Sequence, residues 1–408
     1  MRGFGSAGLF LPLLALLLAA SAGVPASDPA QQQCDALAAS PSDLSRPAGV
    51  PGVQLEKIDA LRAQDACLRA VQEQPSPRLF YQLARAFQAG RKEVEALTNY
   101  RIAADRGYVL AQGSLGWMYQ NGVGVTKNDA QAALWYRKAA DQGDMVSQDN
   151  LGGMYENGQG VAKDGVQAAL WYRKAADQGY ARAQSDLGWM YQNGQGVAKD
   201  DVQAVLWYRK AADQGYAPAQ TNLGWMYQEG RGVVRDDAQA AAWYRKAGDQ
   251  GFAGAQLYLG LMYLAGRGVK HDDAIGAAWM LKAAEQGVAT AQYNVGFLHD
   301  NGRGLPHDND QALAWYNKAA ANGSTDATSA LKAKKDSDNT ALGALVILGL
   351  GLWALTPDAH DEKDQRHAFP KKSEYERELE RIESERRTRC YNALLFRDPT
   401  AHSIPGCY

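Results

Sequence analysis

The chain has 408 residues, a length that an ordinary globular sequence would divide into roughly two or three domains. Its 43 Lys+Arg against 45 Asp+Glu leave a formal net charge of -2, so no overall field points to nucleic acid or to an anionic membrane surface. Hydrophobic residues make up 46% and the mean hydropathy is -0.42, which describes a soluble globular chain with local exceptions.

The first exception is the N-terminus. Met1 and Arg2 lead into an apolar run from Leu9 to Ala20, and small residues follow, with cleavage expected after Ala22 or Ala26. This is the order of a secretory signal peptide over residues 1–26. The competing reading is an uncleaved anchor helix, against which stand the short apolar core and the helix-breaking Pro25. No Cys sits at the cleavage point, so a lipoprotein signal is not indicated. Four cysteines, Cys34, Cys67, Cys390 and Cys407, are an even number that fits export. Cys34 and Cys67 bracket a small helical module over residues 27–77, and a bridge between them is expected.

From residue 78 the chain is periodic. LGWMY starts at Leu115, and related segments start at Leu151, Leu187, Leu223, Leu259 and Val295, each 36 residues after the last. Trp135, Trp171, Trp207, Trp243, Trp279 and Trp315 keep the same step. Such a period means a solenoid or array. Each unit reads as two helices. The first runs from an Ala-Gln pair (Ala111-Gln112) to a glycine pair (Gly122 and Gly124) that ends it. Leu115, Gly116 and Tyr119 form its stripe, the glycine allowing close approach of a partner helix. The second helix starts at Asn128, Asp164, Asp200, Asp236, Asp272 and Asp308, all good N-caps. Gln131, Gln167, Gln203, Gln239 and Gln311 stand three residues later, which predicts capping boxes. Residues 78–110 read as a shorter copy in which Leu83, Ala84 and Phe87 take the Leu-Gly-Tyr positions. The step from Leu83 to Leu115 is four residues short, so this unit is expected to cap the array.

The pattern AQxxLGxMYxxGxGVxxDxxxAxxWYxKAAxxG, written in six copies over residues 111–323, resembles the Sel-one-like repeat, a relative of the tetratricopeptide repeat. The resemblance implies an all-α fold, a right-handed α-solenoid of tandem helix-turn-helix units that serves as a scaffold or adaptor in protein assemblies. The module around Cys34 and Cys67 resembles, more loosely, the short module that precedes such arrays in exported bacterial proteins. By the same resemblance the first helices line a concave groove, and the residue after each Leu-Gly points into it: Trp117, Gly153, Trp189, Trp225, Leu261 and Phe297. One turn later come Gln120 and Asn121, Glu156 and Asn157, Gln192 and Asn193, Gln228 and Glu229, then Asp300 and Asn301. A ladder of aromatics flanked by amides and carboxylates is therefore the expected partner-binding surface, since Trp is enriched at interface hot spots. The competing reading packs these indoles between units as core. For the Trp135 series, present in every copy, core packing is the default.

After Gly323 the pattern dissolves. Residues 324–339 read as a polar linker or a last helix. The second apolar exception, residues 340–356, lies at the lower limit for crossing a bilayer. It reads as a single-pass anchor or as a buried helix capping the array. Residues 357–408 form a charged tail, in which Tyr375, Leu379 and Ile382 make a thin apolar stripe. A Cys390–Cys407 bridge and a single crossing at 340–356 cannot both hold, because the crossing would put the tail in the cytoplasm.

Catalytic and metal patterns are not found. His271, His299, His307, His360, His367 and His402 form no His-Glu-x-x-His arrangement and no zinc-finger spacing with Cys. The glycines of NGVGV lack the Lys-Ser/Thr of a phosphate loop. The expectation is thus no enzyme, no cofactor and no metal. Instead it is an exported, periplasmic scaffold that binds a protein or peptide in its groove, with an inner-membrane anchor at 340–356 if that segment spans. Two alternatives rest on family analogy: an envelope immunity protein that neutralises a toxic effector, and a regulator of cell-wall enzymes.

Overall fold

The computed structural model describes residues 29–339. The expected leader 1–26, the apolar segment 340–356, the tail 357–408 and the Cys390–Cys407 question lie outside the described residues. Among the described residues all regular structure is helical, and no helix is long and apolar enough to cross a membrane. Helices α1 (Pro29–Ala38) and α2 (Ala60–Glu73) form the N-terminal module. Helices α3 (Pro77–Ala89) and α4 (Glu93–Asp105) form the short unit. Six units follow: α5 (Val109–Asn121) with α6 (Asp129–Asp141), α7 (Met145–Asn157) with α8 (Gly165–Asp177), α9 (Ala181–Asn193) with α10 (Asp201–Asp213), α11 (Ala217–Glu229) with α12 (Asp237–Asp249), α13 (Ala253–Ala265) with α14 (Asp273–Glu285), and α15 (Ala289–Asn301) with α16 (Asn309–Ala321). Helix α17 (Thr325–Asn339) closes the described chain, so residues 325–339 are a last helix and not a linker. Each helix packs on those before and after it in sequence, which makes the molecule an α-solenoid.

The two helices of a unit are held by a tyrosine lying on a glycine. A Cβ built on Gly116 would stand 2.6 Å from the Tyr136 ring, and one on Gly188 would stand 2.8 Å from the Tyr208 ring. Only glycine lets the backbone come that close. The partners Leu115, Met118, Leu187 and Met190 are fully buried around these contacts. Unit five departs from the rule. Met280 replaces the tyrosine, and a second glycine, Gly276, makes room for Leu264.

The second helices start at the six expected caps, whose side chains accept from the backbone N–H three residues on, as Asn128 does from Gln131 at 3.0 Å. The reciprocal half of the capping box differs from expectation. The cap N–H goes not to the Gln side chain but to the end of the preceding helix, Asn128 to the Tyr119 carbonyl at 2.8 Å and Asp200 to the Tyr191 carbonyl at 2.9 Å. The connecting loop is thereby pinned at both ends.

Among the contacts that join one unit to the next, two recur along the array and set the spacing. The Ala-Gln glutamine donates to the last turn of the preceding unit, Gln184 to the Ala176 carbonyl at 3.0 Å, and accepts from Gln214 of its own second helix at 2.8 Å. The same relay recurs from Gln112 to Gln292. The second loop glycine is the other. A Cβ on Gly196 would fall 1.9 Å from the Gly165 carbonyl oxygen in the preceding unit.

Both ends are covered. The Cys34–Cys67 disulfide ties α1 to α2. Buried Arg85 on α3 donates to the carbonyls of Ala38 at 2.6 Å and Val53 at 2.5 Å, which seats the module on the short unit. At the other end α17 packs Ala327 and Leu331 near Tyr316.

The loop glycine makes a stability prediction. Gly179 and Gly196 both have positive φ, 92° and 66°, but a Cβ on Gly179 meets nothing within 4 Å. Gly179→Ala should cost only the left-handed penalty, about 1–2 kcal/mol. Gly196→Ala should cost at least about twice that, because the loop must leave the neighbouring unit. Urea unfolding of the two variants gives the comparison; equal costs would show that the loop contact carries no stability.

Candidate protein-binding groove

The two tryptophan series have separate fates. Trp135, Trp171, Trp207, Trp243 and Trp279 on the second helices are buried. A lysine one turn on lies over each ring, as Lys174 does over Trp171 at 3.8 Å and Lys210 over Trp207 at 3.8 Å. These rings are framework. Trp117, Trp189, Trp225, Leu261 and Phe297 on the first helices are each partly exposed. Trp189 packs on the clusters of its own and the next unit, and so do Trp225 and Leu261. One face of each side chain is thus core while the rest reaches the surface. The Arg231 guanidinium lies 5.1 Å from the Trp225 ring centre.

The glutamines expected in the groove are placed differently. Gln192 and Gln228 are 7% and 4% exposed. Each accepts the tyrosine hydroxyl of its own unit: Tyr208 to Gln192 at 2.7 Å, Tyr244 to Gln228 at 3.3 Å, and likewise Tyr136 to Gln120 at 2.9 Å. A buried hydroxyl needs an acceptor, and these amides supply it. The signal was in the sequence. Glu156 pairs with Tyr172 and Asp300 with Tyr316 at the same positions, whereas unit five has Met280 and the apolar Leu264. Asn121, Asn193 and Asn301 donate back to the carbonyls of Trp117, Trp189 and Phe297 at 2.9, 3.0 and 2.8 Å, which caps the helix end beside the ladder. Glu229 is exposed and accepts from Gln228 at 3.2 Å.

Sequence reasoning missed a charged group between units two and three. Asp149 on α7 is 0% exposed and stands 3.2 Å from the Arg182 guanidinium on α9, which also lies 3.8 Å from Asp186. Four of the other five units carry Gly113, Ser185, Thr221 and Leu257 at the Asp149 position. That substitution at an otherwise uncharged position was the available signal.

Stacked helix pairs with a partly exposed Trp, Leu or Phe on five of the six first helices define an α-solenoid of helix-turn-helix repeats. The Sel1 repeat family model matches residues 109–144, 146–180, 181–216, 217–252, 253–288 and 289–324, together just over half of the chain. The chain belongs to the Sel1 repeat family. Among solved structures it is similar to c5321, a protective antigen present in uropathogenic Escherichia coli strains displaying an SLR fold, with 36% identity and a TM-score of 0.61. That match covers 71% of this chain and 61% of that one, so this chain spans only about three fifths of its relative. A Sel1 repeat protein from Oxalobacter formigenes matches with 32% identity and a TM-score of 0.55, over 59% of this chain and 96% of that one. The immunity protein Pa5087 from Pseudomonas aeruginosa matches with 22% identity and a TM-score of 0.32, over 64% and 81% of the two chains, and carries no argument at that level. No curated protein matches the sequence.

The tyrosines under the ladder predict the response to alkali. Burial holds the phenols of Tyr136 and Tyr172 above the ordinary value, and the carboxylates of Asp186, Glu156 and Asp149 push Tyr172 the same way. The folded state therefore keeps these protons more tightly than the unfolded state. The resulting stability is complete below the unfolded phenol pKa of about 10 and is lost as pH rises above it. Tyrosinate absorbance from these groups should appear together with loss of helical circular dichroism. A smooth titration near pH 10 with the helices intact would show that the phenols are not held.

Proposed function

We propose that the chain is an exported scaffold whose first helices hold an extended segment of a partner protein along Trp117, Trp189, Trp225, Leu261 and Phe297, with Asn121, Asn193 and Glu229 at the rim. The carrying observation is the divided burial of this series: Trp117, Trp189, Trp225 and Leu261 pack on the core clusters while staying partly exposed, and Phe297 is partly exposed at the same position. An anchored aromatic gives contact area with little entropy left to lose, which is the character of an interface hot spot. Gln120, Gln192 and Gln228 serve in this reading as supports that fix the helix under the ladder. Sel1 repeat proteins are in general interaction scaffolds, which agrees with the proposal at the level of class. The Cys34–Cys67 bridge supports export, because such bonds persist in oxidising compartments. The leader-like residues 1–26 support it as well. The envelope of a bacterium is the proposed location, with residues 340–356 as the proposed anchor.

The test uses substitutions that the fold already accepts. Leu261 occupies the ladder position in unit five, so Trp117→Leu, Trp189→Leu and Trp225→Leu together should leave the melting curve nearly unchanged. Partner adducts formed by crosslinking the full chain in intact cells should fall by about tenfold or more, as loss of hot-spot contacts requires. An undiminished adduct yield from a folded triple variant would remove the ladder from the binding surface.

A further inference from the structure

The seam between units five and six differs from the earlier seams in what holds it. From the short unit to unit five, an arginine of each second helix donates to a tyrosine of the next first helix: Arg101 to Tyr119, Arg137 to Tyr155, Arg173 to Tyr191, Arg209 to Tyr227 and Arg245 to Tyr263. At the last seam the same two positions carry Leu281 and His299. His299 turns to its own loop, where Nδ1 donates to the Pro306 carbonyl at 3.0 Å. The seam keeps the glutamine relay, the loop glycine and an ionic staple, in which Arg303 of unit six donates from Nε to Asp273 Oδ1 of unit five at 2.8 Å.

A titratable ring is built into that staple. His271 Nε2 lies 3.1 Å from Asp273 Oδ1 and 3.2 Å from Nη2 of Arg303. One nitrogen thus faces an acceptor and a donor, and its protonation decides which of them it answers. As a neutral imidazole with the proton on Nδ1, it accepts from Arg303. As an imidazolium, Nε2 can only donate, and Asp273 Oδ1 is the acceptor within reach. Two cations then claim one oxygen. His271 stands two residues from Asp273 in the chain, whereas Arg303 must be held across the seam from another unit. The local contact orders less chain and wins. The charged ring also repels the guanidinium beside it. Nη2 of Arg303 is the atom that bonds the Leu264 carbonyl at 2.6 Å, so the repulsion acts on that bond as well.

The neighbouring charges are committed elsewhere or turned to solvent. Asp272 caps α14 by accepting from the Ile275 N–H at 2.9 Å, Arg267 pairs with Asp237 at 3.1 Å, and Lys270 is exposed. Unit four is a control within the chain. Arg235 takes the place of His271 there and binds Oδ2 of Asp237 at 3.2 Å, while Arg267 reaches Oδ1. Its charge is permanent, so that seam has no second state.

We propose that the seam between units five and six is a pH-sensitive joint: protonation of His271 moves Nε2 from Arg303 to Asp273, frees Arg303, and loosens unit six and α17 from the rest of the array. Imidazole is the side chain that changes charge between about pH 5 and 8, so mild acid is enough to work the joint. The joint lies between Leu261 and Phe297 and acts whether or not the groove holds a partner.

Hydrogen–deuterium exchange of the full chain reads it, at about pH 7.5 and about pH 5.5, on either side of the ordinary imidazole pKa of about 6.5. Unit four serves as internal reference and cancels the pH dependence of the exchange chemistry itself. Protection of residues 289–301 relative to residues 217–229 should fall by about tenfold in acid, the effect of one hydrogen bond to a charged group. His271→Gln keeps a neutral acceptor within reach of Arg303 and does not titrate, so in this variant the ratio should stay level. An unchanged ratio in the wild type would overturn the proposal. An equal fall in His271→Gln would overturn it too, and would move the effect to His299 or His307.

Discussion

The structure depends on a tyrosine ring resting on a helical glycine. This contact sets the distance between the two helices of a unit, and everything else in the unit adjusts to it. The ring closes the core, so its hydroxyl ends up buried and must be given an acceptor. That acceptor is the residue four positions after the glycine, one turn along the first helix. Gln120, Glu156, Gln192, Gln228 and Asp300 are explained together by this requirement. Unit five confirms the coupling by its exception. With Met280 in place of tyrosine there is no hydroxyl, and Leu264 stands where the acceptor would be. The residue next to the glycine on the first helix begins beside that hydroxyl, as the 3.3 Å from a Cβ on Gly153 to the Tyr172 hydroxyl shows. The ladder position follows from the core contact.

Polar contacts reinforce the apolar clusters that neighbouring units share. The glutamine relay, the loop glycine against the preceding second helix, and the arginines that donate to Tyr119, Tyr155, Tyr191, Tyr227 and Tyr263 all cross unit boundaries. Hydrogen bonds demand particular distances, whereas apolar contact tolerates sliding. The same hydrogen bonds therefore fix the spacing at each junction where they recur. In units four to six the pinning is reinforced by Arg231, Arg267 and Arg303, which pair with Asp201, Asp237 and Asp273 at the start of the preceding second helix.

Most of the fold was legible in the sequence, because a strict period, cap residues and glycine pairs each act locally. Asp164 caps its helix wherever that helix lies in space. What escaped was chemistry decided across helices. The groove amides were read from their exposed register on one helix, but a second helix brings a hydroxyl to them. The glutamine after each cap was read as half of a capping box, but the loop offers the cap N–H a backbone carbonyl first. The loop glycines were read as helix terminators. That is correct for Gly194, with φ of 68°, and incomplete for Gly196, which also yields space to the unit before it. The buried Asp149–Arg182 pair is a longer-range case, joining two first helices through positions that carry no charge in neighbouring copies.

Departures from a repeat pattern can be sorted by whether they compensate. In unit five, Met280, Gly276 and Leu264 exchange volume and polarity among themselves, and the core closes as before. Those changes need no explanation beyond packing. In unit two the changes reach beyond the unit. An aromatic is lost at Gly153 and only the Tyr172 hydroxyl comes near the vacated space. An acid is buried at Asp149, and Arg182 of unit three meets both it and Asp186, while Glu156 accepts from Tyr172. Burying charge is costly unless it is paired, and leaving an aromatic out of a ladder forfeits apolar contact. The buried acid of unit two is met by Arg182 of unit three, so this departure ties two units together where that of unit five is settled inside one.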